Sequence, residues 1–267
     1  MQLTASSSPA PGQYEGQTHP GYWNMVGPFG GVTAATLLQA ILQHPDRLGD
    51  PLSLTVNYAG ALTAGAFTVQ ATPVRTNRST QHWTLSILQA GDDGAQVVTT
   101  TATAVTAVRR ETWSVGDVPM PEVPVPSAQP AIPPGFGVGW LNRYEMRPVV
   151  GAIPREWDGS GDHSLTQLWM RDAPPRPLDF VALAALADVF FPRVWLRRAR
   201  HVPAGTVSIT VYFHASAAQL QATGTGYLLG QARGQEFRNG FFDQTVQLWN
   251  EAGTMLATSH QIVYYKE

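Results

Sequence analysis

Two segments of this chain, GGVTAATLLQAILQ at 30–43 and LDFVALAALADVFF at 178–191, are apolar or small nearly all the way round. A helix without a polar face cannot lie on a protein surface, so each must be enclosed. Neither approaches the roughly 20 residues that cross a bilayer, which leaves the chain's own β-structure to enclose them. Buried helices are therefore expected over 32–42 and 178–191, and each is followed by four strand-like runs. After the first come LSLTVNYA, AFTVQATPVR, TQHWTLSILQ and AQVVTTTATAV; after the second come TVSITVYFH, LQATGTGYLLGQ, NGFFDQTVQLW and TMLATSHQIVYY. Alternation of Leu52, Leu54 and Val56 with Ser53, Thr55 and Asn57 gives such a sheet one face for the helix and one for solvent.

The two halves also match locally. SLTVNYAG (53–60) aligns with SITVYFHA (208–215), and SILQAGDDGAQVV (86–98) with VQLWNEAGTML (246–256) once a shorter turn is allowed. GDDG and NEAG supply the Gly, Asp and Asn that tight antiparallel connections use. A segment near Tyr22 and Trp23 leads into the first helix, as RYEMRPV and LTQLWMR lead into the second. Helix then meander, twice over, predicts an α+β fold: a double hotdog, with two antiparallel sheets each wrapped around a central helix. Seven of the 21 prolines fall between Pro119 and Pro134, where neither helix nor central strand persists, so this stretch is a semi-rigid linker. The expected organisation is an N-terminal hotdog over 1–108, a Pro-rich linker over 109–139 and a C-terminal hotdog over 140–267. The opening MQLTASSSPAPGQ lacks the basic end and apolar core of an export signal and reads as a frayed, cytoplasmic N-terminus.

Composition narrows the partners. A net charge of −2 with 13% charged residues leaves no electrostatic footprint for nucleic acid or an anionic membrane. Without Cys there is no disulfide framework, thiolate nucleophile or Cys-ligated metal. The seven His show no metal-ligand spacing, and no GxSxG elbow supports a serine nucleophile. GFGVG at 135–139 follows a proline linker instead of a strand, so it is not a dinucleotide loop. No metal and no cofactor are expected.

One acid is out of place. Asp188 interrupts the apolar run LAALADVFFPRVW, where burial should raise its pKa towards the range of a useful base. It lies near a helix C-terminus, where the dipole disfavours a carboxylate, so capping does not explain it. Asp179 differs, since it follows Pro177 at the helix start and suits a capping role. A salt bridge to Arg193 or Arg197 is the competing explanation for Asp188. Gly30 and Gly31, ahead of the first helix, either permit close packing or present backbone N–H groups to a developing oxyanion. Arg193, Arg197, Arg198 and Arg200 form the densest basic cluster, read either as phosphate contacts or as a solvated loop.

GPFGGVTAATLLQAIL after a Trp-containing segment, Arg78-Ser79 at the start of the third strand, and LWMRDAPPRPLDFVALAALAD opening the second half resemble the double-hotdog acyl-CoA thioesterases, closest to the type II family. The resemblance runs from about Trp23 to Tyr265. It implies a cytoplasmic hydrolase of fatty acid metabolism, acting on acyl-CoA, with a trio that activates water. Carried over, the acid is Asp188, the hydroxyl Thr206 in GTVSITVYFH, and the amide Gln261 in LATSHQIV. The first half has no acid at the matching helix position, where Thr33 or its neighbours stand, so one active site per chain is implied. The Asp-His pair that often follows the family's Thr is replaced by Ser208 and Ile209. Gly30, Gly31, Arg193 and Arg197 are the expected substrate contacts. A hotdog dehydratase or hydratase would need a His paired with an acid, and a non-catalytic acyl-thioester-binding protein would need neither. Exposed sheet edges leave room for a homo-oligomer.

Overall fold

The computed structural model describes residues 1–5, 11–91, 93–133, 135 and 137–267; Asp92 of the GDDG turn and Pro134 of the linker lie outside the described residues. In chain order the elements are β1 (Leu3–Ala5), β2 (Gln13–Gln17), α1 (Gly30–Gln43), β3 (Asp50–Tyr58), β4 (Ala66–Thr76), β5 (Thr80–Ala90), β6 (Gln96–Ala107), β7 (Tyr144–Val150), β8 (Thr166–Asp172), α2 (Phe180–Leu186), α3 (Arg193–Arg198), β9 (Ala204–Phe213), α4 (Ala217–Thr223), β10 (Leu228–Arg233), β11 (Phe237–Arg238), β12 (Phe241–Asn250) and β13 (Met255–Tyr265). Short 3-10 turns lie at Pro20–Tyr22, Pro126–Ala128 and Gly139–Arg143.

The two expected sheets are joined into one. Its order is β1-β2-β4-β5-β6-β3-β9-β13-β12-β10-β8-β7, with β11 paired to β12. Outward from the centre, β3 answers β9, β6 answers β13, β5 answers β12, β4 answers β10, β2 answers β8 and β1 answers β7. At the centre Thr55 stands opposite Thr210 with their hydroxyl oxygens 3.0 Å apart. These two residues are equivalent in the sequence repeat, so a pseudo-twofold axis passes between them, as in an isologous dimer fused into one chain.

The symmetry extends to irregularities. Leu52 is an extra residue between the pairs Pro51–Thr106 and Ser53–Val105, and Val207 is an extra residue between Thr206–Val263 and Ser208–Ile262. Each bulge turns its extra residue outwards, Leu52 to 39% and Val207 to 38% exposure. Strict alternation had put Leu52 inside; the bulge reverses it and brings Pro51 and Thr206 to the inner side instead.

Helix α1 is buried at ten of its fourteen positions and packs on α2 and on β3, β4 and β5. It stops at His44 because Pro45 follows. The second helix is shorter than expected. It opens at Asp179, whose Oδ1 accepts from the Ala182 N–H at 2.7 Å, and ends at Leu186. Ser259 Oγ donates to the Ala187 carbonyl at 3.0 Å, giving one orphaned helix-end acceptor a partner. Asp188 therefore lies just beyond the helix, in the turn before α3.

Two other expectations are corrected. The N-terminus contributes β1 and β2, which pair with each other and onto β4 and bury Leu3 and Tyr14 at 5% exposure each. The first part of LQATGTGYLLGQ is helical, because Ser216 and Gln219 form a reciprocal capping box that starts α4. The Pro-rich stretch lies against the second half, where Trp169 Nε1 donates to the Pro124 carbonyl at 2.8 Å and Arg147 Nη1 to that of Gln129 at 2.7 Å. Among the described residues no helix is long and apolar enough to cross a membrane.

Candidate active site

Asp188 is 8% exposed and held from three elements. From β13, Gln261 Nε2 donates to Asp188 Oδ1 at 2.7 Å. From β9, Thr206 Oγ1 donates to Gln261 Oε1 at 3.3 Å, so the hydroxyl orients the amide and does not touch the acid. From α1, the Gly30 backbone packs against the other carboxyl oxygen, Oδ2, and the neighbouring Gly31 amide lowers the pKa of the group. Burial dominates the electrostatics and raises the Asp188 pKa to about 7, while the Gln261 hydrogen bond and the Gly31 amide pull it partly back. Near neutral pH the group is poised between acid and base.

The dipole environment of Asp188 differs from that of a helix C-terminus. Asp188 leaves the unfavourable end of α2 and meets the favourable end of α1, a fourteen-residue helix whose N-cap, Phe29, offers no side-chain cap. The two glycines are explained by this approach. A Cβ on Gly30 would stand 2.8 Å from Asp188 Oδ2, and one on Gly31 would stand 2.6 Å from the Ala185 carbonyl of α2. Close packing is thus their observed role. The competing explanation, a salt bridge to Arg193 or Arg197, is not found: among the described residues Asp188 has no ion pair.

Thr206 and Gln261 come together with Asp188; the arginines do not. Arg193 is fully buried, and its guanidinium donates to the carbonyls of Phe191 and, at 3.3 Å, Ser164, and to Thr166 Oγ1. Its cationic carbon lies 4.3 Å from the Phe191 ring centroid. Burial lowers its pKa to about 9, and a cation so enclosed has no surface left for a phosphate, which removes it from the substrate contacts. Arg197 is exposed and donates one N–H to the Gly161 carbonyl at 3.0 Å.

Sequence reasoning missed Tyr58, the last residue of β3. Its hydroxyl donates to the Gly30 carbonyl at 2.8 Å, and a Cβ on Gly30 would lie 3.2 Å from it. The signal was present in the repeat, where SLTVNYAG and SITVYFHA place Tyr58 opposite Phe213. A cavity of about 270 Å³ opens between α1 and α2, with Val32, Gln39, Tyr144 and Ala185 in its walls. Asp188 does not line it, but Ala185 does, and the Ala185 carbonyl accepts the Asp188 N–H at 3.1 Å.

The same three positions in the first half carry no polar side chain. Nine residues past the N-caps Phe29 and Asp179 stand Leu38 and Asp188, so the match to Asp188 is Leu38, not Thr33. The paired bulges set Pro51 against Thr206, and the ladders set Ala104 against Gln261.

A pseudo-symmetric pair of helix-and-meander halves in one antiparallel sheet has the architecture of a hotdog-fold protein. Residues 19–107 match the family described as acyl-CoA thioesterase N-terminal domain, and residues 119–265 match that described as acyl-CoA thioesterase C-terminal domain. The chain belongs to the acyl-CoA thioesterase family. It is similar to a solved conserved protein of unknown function with hot dog fold from Alicyclobacillus acidocaldarius, at 46% identity and a TM-score of 0.91, covering 100% of this chain and 96% of that one. An acyl-CoA thioesterase II from Mycobacterium marinum superposes with a TM-score of 0.76 at 17% identity, covering 99% and 96%. The dehydratase domain of PpsC from Mycobacterium tuberculosis shares the fold at 11% identity and a TM-score of 0.60, covering 99% and 97%. A search of curated proteins finds no match.

Proposed function

We propose that the chain is a double hotdog whose central helices, α1 and α2, frame a single site that hydrolyses acyl-CoA to a free acid and coenzyme A. The observation that carries this reading is the Thr206–Gln261–Asp188 chain of hydrogen bonds ending on a buried acid with a pKa of about 7. Gln261 occupies Oδ1, which leaves Oδ2 on the Gly30 side as the basic oxygen. That oxygen takes a proton from water as the water attacks the thioester carbonyl. The C–S bond then breaks, and Asp188 returns the proton to the departing sulfur, so carboxylic acid and thiol leave and the carboxylate is restored. The cavity between α1 and α2 gives part of the substrate a place beside the acid, and exposed Arg197 is the arginine proposed to meet a coenzyme A phosphate. No His is among the described partners of Asp188, which argues against a dehydratase with this acid.

The test is thiol release from acyl-CoAs of increasing chain length by the wild type and by Asp188→Asn. A general base contributes roughly 10²- to 10⁴-fold, and a loss of that size is expected with the fold retained. Wild-type kcat/KM should rise with pH through about 7 as Asp188 ionises. Undiminished turnover in Asp188→Asn would sink the mechanism. Acyl-CoA binding without thiol release by the wild type would make the chain a binding protein.

A further inference from the structure

Most polar side chains around the cavity between α1 and α2 have their hydrogen bonds met within the protein. Thr36 Oγ1 donates to the Val32 carbonyl at 2.7 Å, and the Arg176 guanidinium is shared between Asp172, at 2.7 Å, and Asp179, at 2.9 Å. Tyr144 differs. It is only 6% exposed and lines the cavity, yet among the described residues its hydroxyl has no hydrogen-bond partner. The described side-chain atoms that are both sealed in and unpartnered are Arg109 Nε, Trp140 Nε1 and Trp249 Nε1, so the Tyr144 hydroxyl is not walled off. Buried polar groups are nearly always bonded, and one left open on a cavity wall is the kind of group that orients a bound ligand.

We propose that the cavity takes the acyl chain and that Tyr144 is a specificity-determining residue, its hydroxyl selecting acyl groups that carry a hydroxyl or keto oxygen over plain hydrocarbon chains. This deepens the reading of the chain as an acyl-CoA thioesterase and rests on it. The cavity starts at Ala185, whose carbonyl accepts the Asp188 N–H, and reaches Asp179, about 9 Å back along α2. The Tyr144 ring is held edge-on by Phe29 and Trp140, each with its centroid 6.0 Å away, so the hydroxyl has a fixed position on that wall. Burial, with the charge of Asp172 next, keeps the phenol well above its ordinary range, so the group stays protonated and both donates to a keto oxygen and accepts from a hydroxyl. Tyr22 and Gln39 line the same cavity half-buried, also without a described side-chain hydrogen bond, and offer a substituted chain further partners. A plain hydrocarbon chain would instead cover the Tyr144 hydroxyl and leave it unbonded, which weakens binding.

The experiment compares thiol release from acyl-CoAs of one chain length, plain or with a hydroxyl at successive carbons, by the full-length wild type and by Tyr144→Phe. At least one hydroxyacyl-CoA should exceed its plain counterpart in kcat/KM by about tenfold or more, because a site that bonds a substrate hydroxyl discriminates against the analogue lacking it. Tyr144→Phe should abolish that preference, lowering kcat/KM for the hydroxylated substrate and holding or raising it for the plain one. The ring stays against Phe29 and Trp140 and no described hydrogen bond is lost, so the thermal midpoint should not fall. The readout independent of turnover is calorimetric binding of the matching non-hydrolysable thioether analogues, in which the wild type should favour the hydroxylated chain and Tyr144→Phe should not. Equal handling of plain and hydroxylated chains at every position by the wild type overturns the proposal. An equal loss on both substrates in Tyr144→Phe, or a lowered midpoint, also overturns it and leaves Tyr144 a packing residue. Failure of the thioesterase reading shows separately, as no thiol release from any substrate, and thioether binding then still decides the role of Tyr144.

Discussion

Asp188 titrates about three pH units higher in the fold than in an unfolded chain, near 7 against 3.8, and stability must follow that difference. Below about pH 4 the carboxyl is protonated in both states and contributes no pH-dependent penalty. Between about 4 and 7 the unfolded chain ionises while the fold still holds its proton, so stability falls as pH rises, by at most about 4 kcal/mol. Above 7 the full penalty persists. Asp188→Asn mimics the protonated form and should therefore raise the midpoint of unfolding at pH 8 while changing it little at pH 4. Denaturant titrations at the two pH values check this, and an equal effect at both would show that the acid is not perturbed. At this scale the sequence exposed Asp188 because a carboxylate in an apolar run is locally anomalous. Thr206 and Gln261 carry no such anomaly, since polar residues in strands are ordinary, and only the family resemblance singled them out. Tyr58 escaped because its hydrogen-bond partner, the Gly30 carbonyl, is about thirty residues away in the chain.

Between Asp188 and Thr206 the second half carries α3, which has no counterpart between α1 and β3. Arg193 holds this segment from inside, donating to Phe191 within it and reaching across to Ser164 and Thr166 at the start of β8. Among the described residues this buried guanidinium has no carboxylate partner and is held by these acceptors and the aromatic rings, so truncation leaves carbonyl groups unpaired in the interior. Arg193→Ala should destabilise the fold by about 3–5 kcal/mol in denaturant unfolding, without a specific rise in KM for acyl-CoA in the folded fraction. Arg197→Ala should show the converse, a raised KM at nearly unchanged stability. The reverse pattern would restore Arg193 to the substrate contacts. Sequence alone could not separate the two arginines: they lie one helical turn apart, and only the fold turns one inwards. The strands were legible from alternation, but the bulges at Leu52 and Val207 were not, because an extra residue leaves no local mark until its partner strand is in place.

The acid comes from one half and the backbone that receives it from the other. Residues 109–267 contain Asp188, Thr206 and Gln261, while Gly30, Gly31 and Tyr58 lie in residues 1–108. The halves meet through β3 and β9, with Thr55 and Thr210 on the axis, and through the close approach of α1 to Ala185. The asymmetry between the halves was legible, because the repeat made the first half a control in which no acid appears at the matching helix position. The composite nature of the site was hidden, since no repeat says which half's helix end faces which half's acid. In the first half Leu38, Pro51 and Ala104 fill the corresponding positions, so on the proposed reading the first half supplies only a wall of the site. Residues 109–267 produced alone should then release no thiol, even where circular dichroism finds them folded, because the Asp188 carboxyl lacks the α1 backbone that packs against it. Co-production with residues 1–108 should restore activity as the β3–β9 seam and the helix contact reform. Thiol release by the C-terminal half alone would show that the site is complete without α1. No release from a reconstituted, folded pair would show instead that joining the halves through the linker sets the geometry of the site.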